Sequence, residues 1–307
     1  TGKNGYTAMD WYDAADPRPD YYRNLPSYYY MDDPDYGRRN EEKAAWAYDA
    51  WTQNYPEYTH LNWDRLYNVN YNNLDADGLR RSKYVIEERR VDQNDLNVGA
   101  NVKWDASKYF TLTGGLNYRW NKTEYYKVLD DLLGGEYYVN IDSFAERDFA
   151  SNPAMVQNDL DYYLAHGAAQ TLHKGDKYGY DYFANVRKAS AWLNGNLDLG
   201  GFKANLALQA GYEKFWREGL VRKGLFPGLN PDGTEFVVDG KNLTTYESVN
   251  GELVPITSLG NSAVADFFTY SAKLGLQYHI VGGHRFYANA GYFNEAPTFS
   301  QSFISPR

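Results

Sequence analysis

The sequence predicts an all-β protein: an antiparallel transmembrane β-barrel segment of about six to seven long strands, a meander of hairpins with long extracellular loops that contain short helices. Three observations predict it. Apolar and polar residues alternate strictly in three pairs of runs, short and long connections alternate between those runs, and aromatic residues stand at both ends of the apolar faces. Alternation at period 2 marks a strand with one apolar and one polar face, because successive side chains point to opposite sides of a sheet.

After a stub near Tyr6 to Trp11, the first pair begins at Leu96. Leu96, Val98, Ala100, Val102 and Trp104 are apolar, with Asn97, Gly99, Asn101, Lys103 and Asp105 between them. Past DASK, Phe110, Leu112, Gly114, Leu116, Tyr118 and Trp120 alternate with Thr111, Thr113, Gly115, Asn117, Arg119 and Asn121. In the second pair, Ala189, Ala191, Leu193, Leu197 and Leu199 precede Phe202, Ala204, Leu206, Leu208, Ala210 and Tyr212; Trp192 breaks the parity. In the third, Tyr270, Ala272, Leu274, Leu276, Tyr278 and Ile280 precede Phe286, Ala288, Ala290 and Tyr292.

The connections within pairs are tight, around Ala106-Ser107, Gly200-Gly201 and Gly282-Gly283, whereas those between pairs are long, about 14–81, 128–177 and 218–263. Strict alternation places all short turns at one end of the sheet and all long loops at the other. Outer-membrane barrels have this asymmetry, with short periplasmic turns and long extracellular loops. Trp104, Phe110, Phe202, Tyr278 and Phe286 lie in the apolar parity beside the short turns. Tyr118, Trp120, Tyr212, Tyr270 and, somewhat nearer, Tyr292 follow about eight to ten positions along, close to the roughly 9–11 residues a tilted strand needs to cross hydrocarbon between aromatic girdles.

Composition removes competing classes. With 31 Lys+Arg against 40 Asp+Glu in 307 residues, the net charge of −9 argues against a partner read through its phosphate backbone, so no nucleic acid is expected. Mean hydropathy is −0.70 and the longest apolar run is about Ala44 to Tyr48, which excludes a helical membrane span; TGKNGYTAMD carries no signal-peptide core. The absence of cysteine excludes disulfides, thiol catalysis and Cys-based metal sites. A load of 31 Tyr, 14 Phe and 8 Trp is foreign to a disordered chain. A soluble β-sandwich or lectin-like sheet would share the alternation, but loops of about fifty residues confined to one side are rare there.

Within the loops, Asn40 followed by Glu41 and Glu42 opens a helix to about Tyr55, with acidic residues where they favour the dipole. Asn152 and Pro153 begin a second helix to about His166, capped by Gly167. DPRPDYYRNLPSYYY is too rich in proline for a helix or central strand, and PDG, VDGK and VNGE signal small hairpins off the main sheet.

Four stretches carry a family likeness: WYDAADPRPDYYRNLPSYY at Trp11 to Tyr29, LNWDRLYNVN at Leu61 to Asn70, YVIEERRVDQNDLNVGANVKW at Tyr84 to Trp104, and FYANAGYFNEAPTFSQSFISPR at Phe286 to Arg307. They resemble TonB-dependent outer-membrane receptors of the Bacteroidetes type, related to SusC-like nutrient importers, and the likeness covers most of the chain. It implies a Gram-negative cell outer membrane location and a barrel of about 22 strands around an N-terminal plug. Seven strands are too few to close such a barrel, and no plug, TonB box or signal peptide is seen, so residues 1–307 read as an internal piece of the receptor's β-barrel domain. Implied partners are outer-membrane lipid, the TonB complex acting through the absent plug, a surface lipoprotein and the nutrient itself, be it oligosaccharide, peptide or siderophore-like. The strand from Tyr84 would carry its EERR half above the membrane. A passive porin or adhesion barrel, or a soluble glycan-binding β-domain, stands as the alternative.

In that frame Asn101, Lys103, Asn117, Arg119, Asn205, Gln209, Lys273 and Gln277 line the polar wall, and Asn117, Arg119 and Lys273 are candidate ligand contacts alongside Tyr28, Tyr29, Tyr30, Trp46 and Trp51 of the outer loops. Tyr and Trp offer large amphipathic faces at low entropy cost, although such rings more often brace loop against loop. Asn73, Asp75, Asp77 and Gly78 match the first half of a calcium loop, but its twelfth position is Tyr84 rather than Glu, so turn chemistry explains them better. Five histidines without metal-ligand spacing give no zinc site, and no cofactor is expected. There is no GxSxG, phosphate loop or dinucleotide fingerprint, and neighbouring carboxylates such as Glu87-Glu88 and Asp130-Asp131 would face opposite sides of a strand, so no enzyme activity is expected.

Overall fold

The computed structural model describes residues 1–30, 39–249, 251–280 and 282–303. The last four residues of the stretch ending at Arg307 and Asn250 of the VNGE turn lie outside them. Seven long strands, β1 (Gly2–Trp11), β2 (Tyr84–Asp105), β3 (Phe110–Asp131), β4 (Lys177–Asp198), β5 (Phe202–Gly219), β6 (Ala265–His279) and β7 (Arg285–Asn294), lie side by side in chain order, with Gly260–Asn261 added beside β5. The chain is thus all-β, a mostly antiparallel meander of the expected strand number. Among the described residues the order runs from β1 to β7 and its ends do not pair, so the sheet is open.

The tight turns fall where expected. Ser107 and Phe110 exchange backbone hydrogen bonds, and Gly200, Gly282 and Gly283 take positive φ. The long connections span 12–83, 132–176 and 220–264. The chain divides into two compact units, the first made of Thr1–Gly5, Arg90–Tyr126 and the residues from Gly179 onward, the second of Tyr6–Arg89 and Lys127–Tyr178.

In the first unit the ladders are uninterrupted: β4 pairs with β5 from Tyr182↔Gly219 to Asp198↔Lys203, β5 with β6 from Phe215↔Ala265 to Phe202↔Tyr278, and β6 with β7 from Tyr270↔Asn294 to His279↔Arg285. With no bulge in these three ladders, parity is conserved from β4 to β7. Phe202, Tyr278 and Phe286 therefore form one row, and Tyr270 stacks on Tyr292 with centroids 5.8 Å apart. The parity break at Trp192 costs no register. Its indole lies on the polar face over Gly115, where an added Cβ would collide with Asn101 Oδ1 and come within 2.8 Å of Ala100 O and Trp192 Nε1. Gly115→Val is expected to lose about 1–3 kcal/mol by overpacking, read as a lowered denaturation midpoint; an unchanged midpoint would refute the packing.

Phe215, buried on the polar face, gathers Phe267, Phe299 and Phe303 within 5.6–6.3 Å; Phe299 opens the single helical turn Phe299–Ser302 and Phe303 is its C-cap. The third long connection forms small ribbons of its own, as its turn signals predict. Val237–Val238 pairs with Lys241–Asn242 through Asp239-Gly240, both at positive φ, and Tyr246–Val249 pairs with Glu252–Pro255.

Among the described residues the second unit holds, besides single turns such as Pro56–Thr59, four longer helices: α1 (Glu41–Thr52), α2 (Trp63–Tyr71), α3 (Ser143–Phe149) and α4 (Leu160–His166). Asn40 caps α1 as expected, its side chain accepting from Lys43 N, and Gly167 caps α4 in the left-handed region. The expected start of α4 at Asn152 is corrected. Asp159 is its cap, because the preceding residues are held in a non-helical path by the Ile141↔Gln157 bridge and by Asp142 N donating to Val156 O. The proline-rich stretch yields only single turns at Tyr22–Asn24 and Pro26–Tyr29, the second starting on a proline whose missing N–H is no loss there. The LNWD segment, unassigned from sequence, becomes α2 with Asn62 as its cap.

Two apolar clusters hold this unit together. Val85, Leu129, Tyr138, Leu172 and Tyr178 form one; Leu66, Tyr84 and Leu133, flanked by Trp11, Leu61 and Ile86, form the other. Asn70 of α2, fully buried, ties the helix to the sheet. Its Nδ2 donates to Tyr84 O (2.7 Å), Leu132 O (2.9 Å) and Leu133 O (3.1 Å), and its Oδ1 accepts from Lys83 N (2.8 Å) and Tyr84 N (3.0 Å).

Candidate functional site

Among the described residues of the first unit none covers its apolar parity. Leu206 is 48% exposed, Leu274 43%, Leu116 65% and Val102 71%, and Leu112 is half-buried. A soluble sandwich would bury such a face, at about 25 cal/mol per Å² of apolar surface. The opposite face is polar and self-satisfied. Asn205 Nδ2 donates to Asn194 Oδ1 (2.6 Å) and Asn196 Oδ1 (2.7 Å), and Lys188 pairs with Glu213 at 3.0 Å.

The three wall candidates lie on this polar face but do not converge. Arg119 is bound by Asp95 (Nη2 to Oδ2 2.5 Å), and Lys273 sits 5.0 Å from the Phe293 ring centroid. β3, which carries Asn117 and Arg119, is three strands from β6, which carries Lys273, roughly 14 Å at the usual interstrand spacing.

The loop aromatics belong to the second unit and mostly brace it. Tyr28 meets Tyr22 and Tyr29 edge-on at 5.5 and 5.3 Å, while Trp46 and Trp51 pack on Tyr58 at 4.8 and 6.3 Å. Trp51 Nε1 (3.4 Å) and Tyr58 OH both donate to Asn24 O. Tyr30 and Trp46 remain exposed. None of the five opens onto the cleft this unit contains.

That cleft, about 530 Å³, runs between the Ala14–Asn24 segment and the start of α2. Its aromatic walls are Trp11, Tyr21, Tyr58 and Tyr84, which sequence reasoning missed; three of them lay in quoted stretches, but nothing local marked them as facing one space. The segment is held before any ligand arrives. Tyr84 OH donates to Ala15 O (2.7 Å), Asn24 Nδ2 to Arg18 O (3.0 Å), and Arg18 grips Asp16 two-pronged at 2.9 and 2.5 Å while lying over the Trp11 ring. Burial would raise the Asp16 carboxyl, but the Arg18 guanidinium outweighs it and holds the group below the usual carboxylate range. Among the described residues Arg65 and Glu57 line the cleft without a side-chain hydrogen-bond partner. Flat aromatic faces with one free guanidinium and one free carboxylate suit a polyhydroxylated or zwitterionic ligand.

Beneath the loops of this unit lies a buried ionic network. Glu87, fully buried, accepts from Lys127 Nζ (2.9 Å) and Tyr178 OH (2.7 Å) on one oxygen and from Arg89 Nε (2.6 Å) on the other; Lys127 also meets Asp10 at 2.7 Å. Burial would raise the Glu87 carboxyl, yet Lys127, Tyr178 and Arg89 together hold it at about 2. Burial, with Asp10 and Glu87 close by, pushes the Tyr178 hydroxyl far above the ordinary tyrosine range. Within EERR, Glu87 faces the core of this unit. In the NNLDADG loop, Asp75 Oδ1 accepts from Asp77 N and Leu79 N at 2.9 Å and Oδ2 from Tyr137 OH at 2.7 Å, so its oxygens serve a turn.

Comparison with family models, curated proteins and solved structures gave no match.

Proposed function

We propose that the chain is part of the β-barrel of an outer-membrane, TonB-dependent transporter that captures and imports a nutrient. The single observation that carries the reading is the uncovered apolar face of the first unit, bordered by an aromatic row at Phe202, Tyr278 and Phe286 and by the Tyr270–Tyr292 stack. Lipid tails are the medium in which such a face costs nothing, and rings at its two borders suit the water–lipid interfaces. The family likeness of the four quoted stretches supports energy coupling through a plug elsewhere in the receptor. The preformed aromatic cleft of the second unit supplies the capture surface, with Trp11, Tyr21 and Tyr58 beside the loop aromatics named from sequence.

Deleting the reading frame that encodes the chain is expected to abolish growth on one nutrient class, oligosaccharide or peptide, and collapsing the inner-membrane proton gradient is expected to stop uptake of that nutrient. Uptake that survives the collapse would indicate a passive pore and contradict the coupling. Unchanged growth on every class would contradict import altogether.

A further inference from the structure

We propose that Arg187 and Lys214, flanked by Trp120 and Trp216, bind the phosphate of a membrane-lipid headgroup at the rim of the apolar face of the first unit. The inference rests on that face meeting lipid. On β4 the exposed parity runs Leu193, Ala191, Ala189 and then Arg187; on β5 it runs Leu208, Ala210, Tyr212 and then Lys214. Both strands thus change from apolar to cationic at the same level, and the register sets Arg187 directly across from Lys214. Like charges so placed destabilise a sheet unless an anion lies between them.

Among the described residues no carboxylate lies between the two cations. Asp266, across from Lys214 on its other side, accepts from Tyr212 OH at 2.5 Å, and Glu218 takes Lys122 at 2.9 Å and Asn185 at 3.3 Å. Among the described residues neither Arg187 nor Lys214 has a carboxylate within ion-pair distance. The Arg187 guanidinium is held in place: its centre is 4.9 Å from the Trp120 ring centroid and 5.3 Å from that of Trp216, and Nη1 donates to Asn121 O and Val186 O at 2.9 Å. Its Nε and Nη2 have no partner among the described residues, which leaves a fixed fork of the geometry phosphate oxygens accept. Continuity with the apolar face selects a lipid phosphate over a soluble one, because a phosphate at this level can keep its acyl chains on Ala189, Ala191, Leu193 and Leu208.

The test is flotation of the chain with phosphatidylcholine vesicles and with mixed phosphatidylcholine–phosphatidic acid vesicles. The chain is expected to prefer the mixed vesicles. The double variant R187Q/K214Q is expected to lose that preference by about thirtyfold, at about 1 kcal/mol for each cation near a charged surface. R187K, which keeps the charge but not the fork, is expected to lose part of it. The control R147Q/K174Q, which removes two exposed cations of the second unit, is expected to leave it intact. A double variant that keeps the preference, a control that loses as much, equal binding of the wild-type chain to both vesicles, or full competition by inorganic phosphate would each overturn the headgroup site while leaving the membrane reading in place. Failure to float with either vesicle would overturn both.

Discussion

Asn70→Leu is expected to destabilise the second unit by about 3–5 kcal/mol. The side chain is fully enclosed and serves five backbone groups, three carbonyls through Nδ2 and two amides through Oδ1. Leucine fills similar space but strands the amides of Lys83 and Tyr84, and each buried, unpaired polar group costs about 1–3 kcal/mol. Leu132 O is partly insured, since Ser82 Oγ donates to it at 2.6 Å, so the loss falls chiefly on the amides. Hydrogen exchange at Lys83 and Tyr84 reads the effect directly as lost protection. A change below about 1 kcal/mol would mean that Asn70 does not hold α2 to the sheet.

Glu87 gives the second large effect, and it depends on pH. Its carboxyl has an ordinary value of 4.5 and is held at about 2 in the folded chain. A depressed carboxyl stabilises the fold at every pH above the ordinary value, and that contribution disappears as pH falls from about 4.5 through about 2. The shift corresponds to about 3 kcal/mol. Glu87→Gln is expected to remove a similar amount at neutral pH, because Lys127 and Arg89 lose their shared partner in a buried setting, and to flatten the acid limb of the stability profile. Protection of the Tyr84–Arg89 amides, followed against pH in both proteins, checks both halves. An acid limb that persists unchanged in the variant would show that another carboxylate governs it.

Much of the first unit was legible because strand parity is local. Leu206, Leu208 and Ala210 declare their face through their immediate neighbours, and Gly200-Gly201 and Gly282-Gly283 declare their turns. Trp192 was legible as an exception but not as a solution, because Gly115, which makes room for it, lies on another strand. The second unit was far less legible. Asn70 acts on Leu132 and Glu87 on Tyr178, contacts that no local pattern encodes. The start of α4 was misplaced for the same reason: Asn152-Pro153 and Asp159 both carry N-terminal helix chemistry, and a long-range bridge at Gln157 decides between them. Among the ligand candidates, clustering drew attention to Tyr28, Tyr29, Tyr30, Trp46 and Trp51. Clustering is what loop braces share with binding sites, and the rings that do face the cleft come from β1, β2 and two separate loop turns.

Which medium touches the apolar face decides most directly whether the chain spans a membrane. The chain has no cysteine, so single cysteines at Leu112, Leu206 and Leu274, and at Asn205, Lys273 and Gln277 on the other face, can each carry a nitroxide without background labelling. With the chain in lipid vesicles, collision rates with dissolved oxygen and with a water-soluble nickel complex report the surroundings of each label. The first three are expected to favour oxygen and exclude nickel, and the second three to do the reverse. Nickel reaching Leu112, Leu206 and Leu274 as freely as the polar face would contradict the lipid-facing assignment, and the transport reading with it.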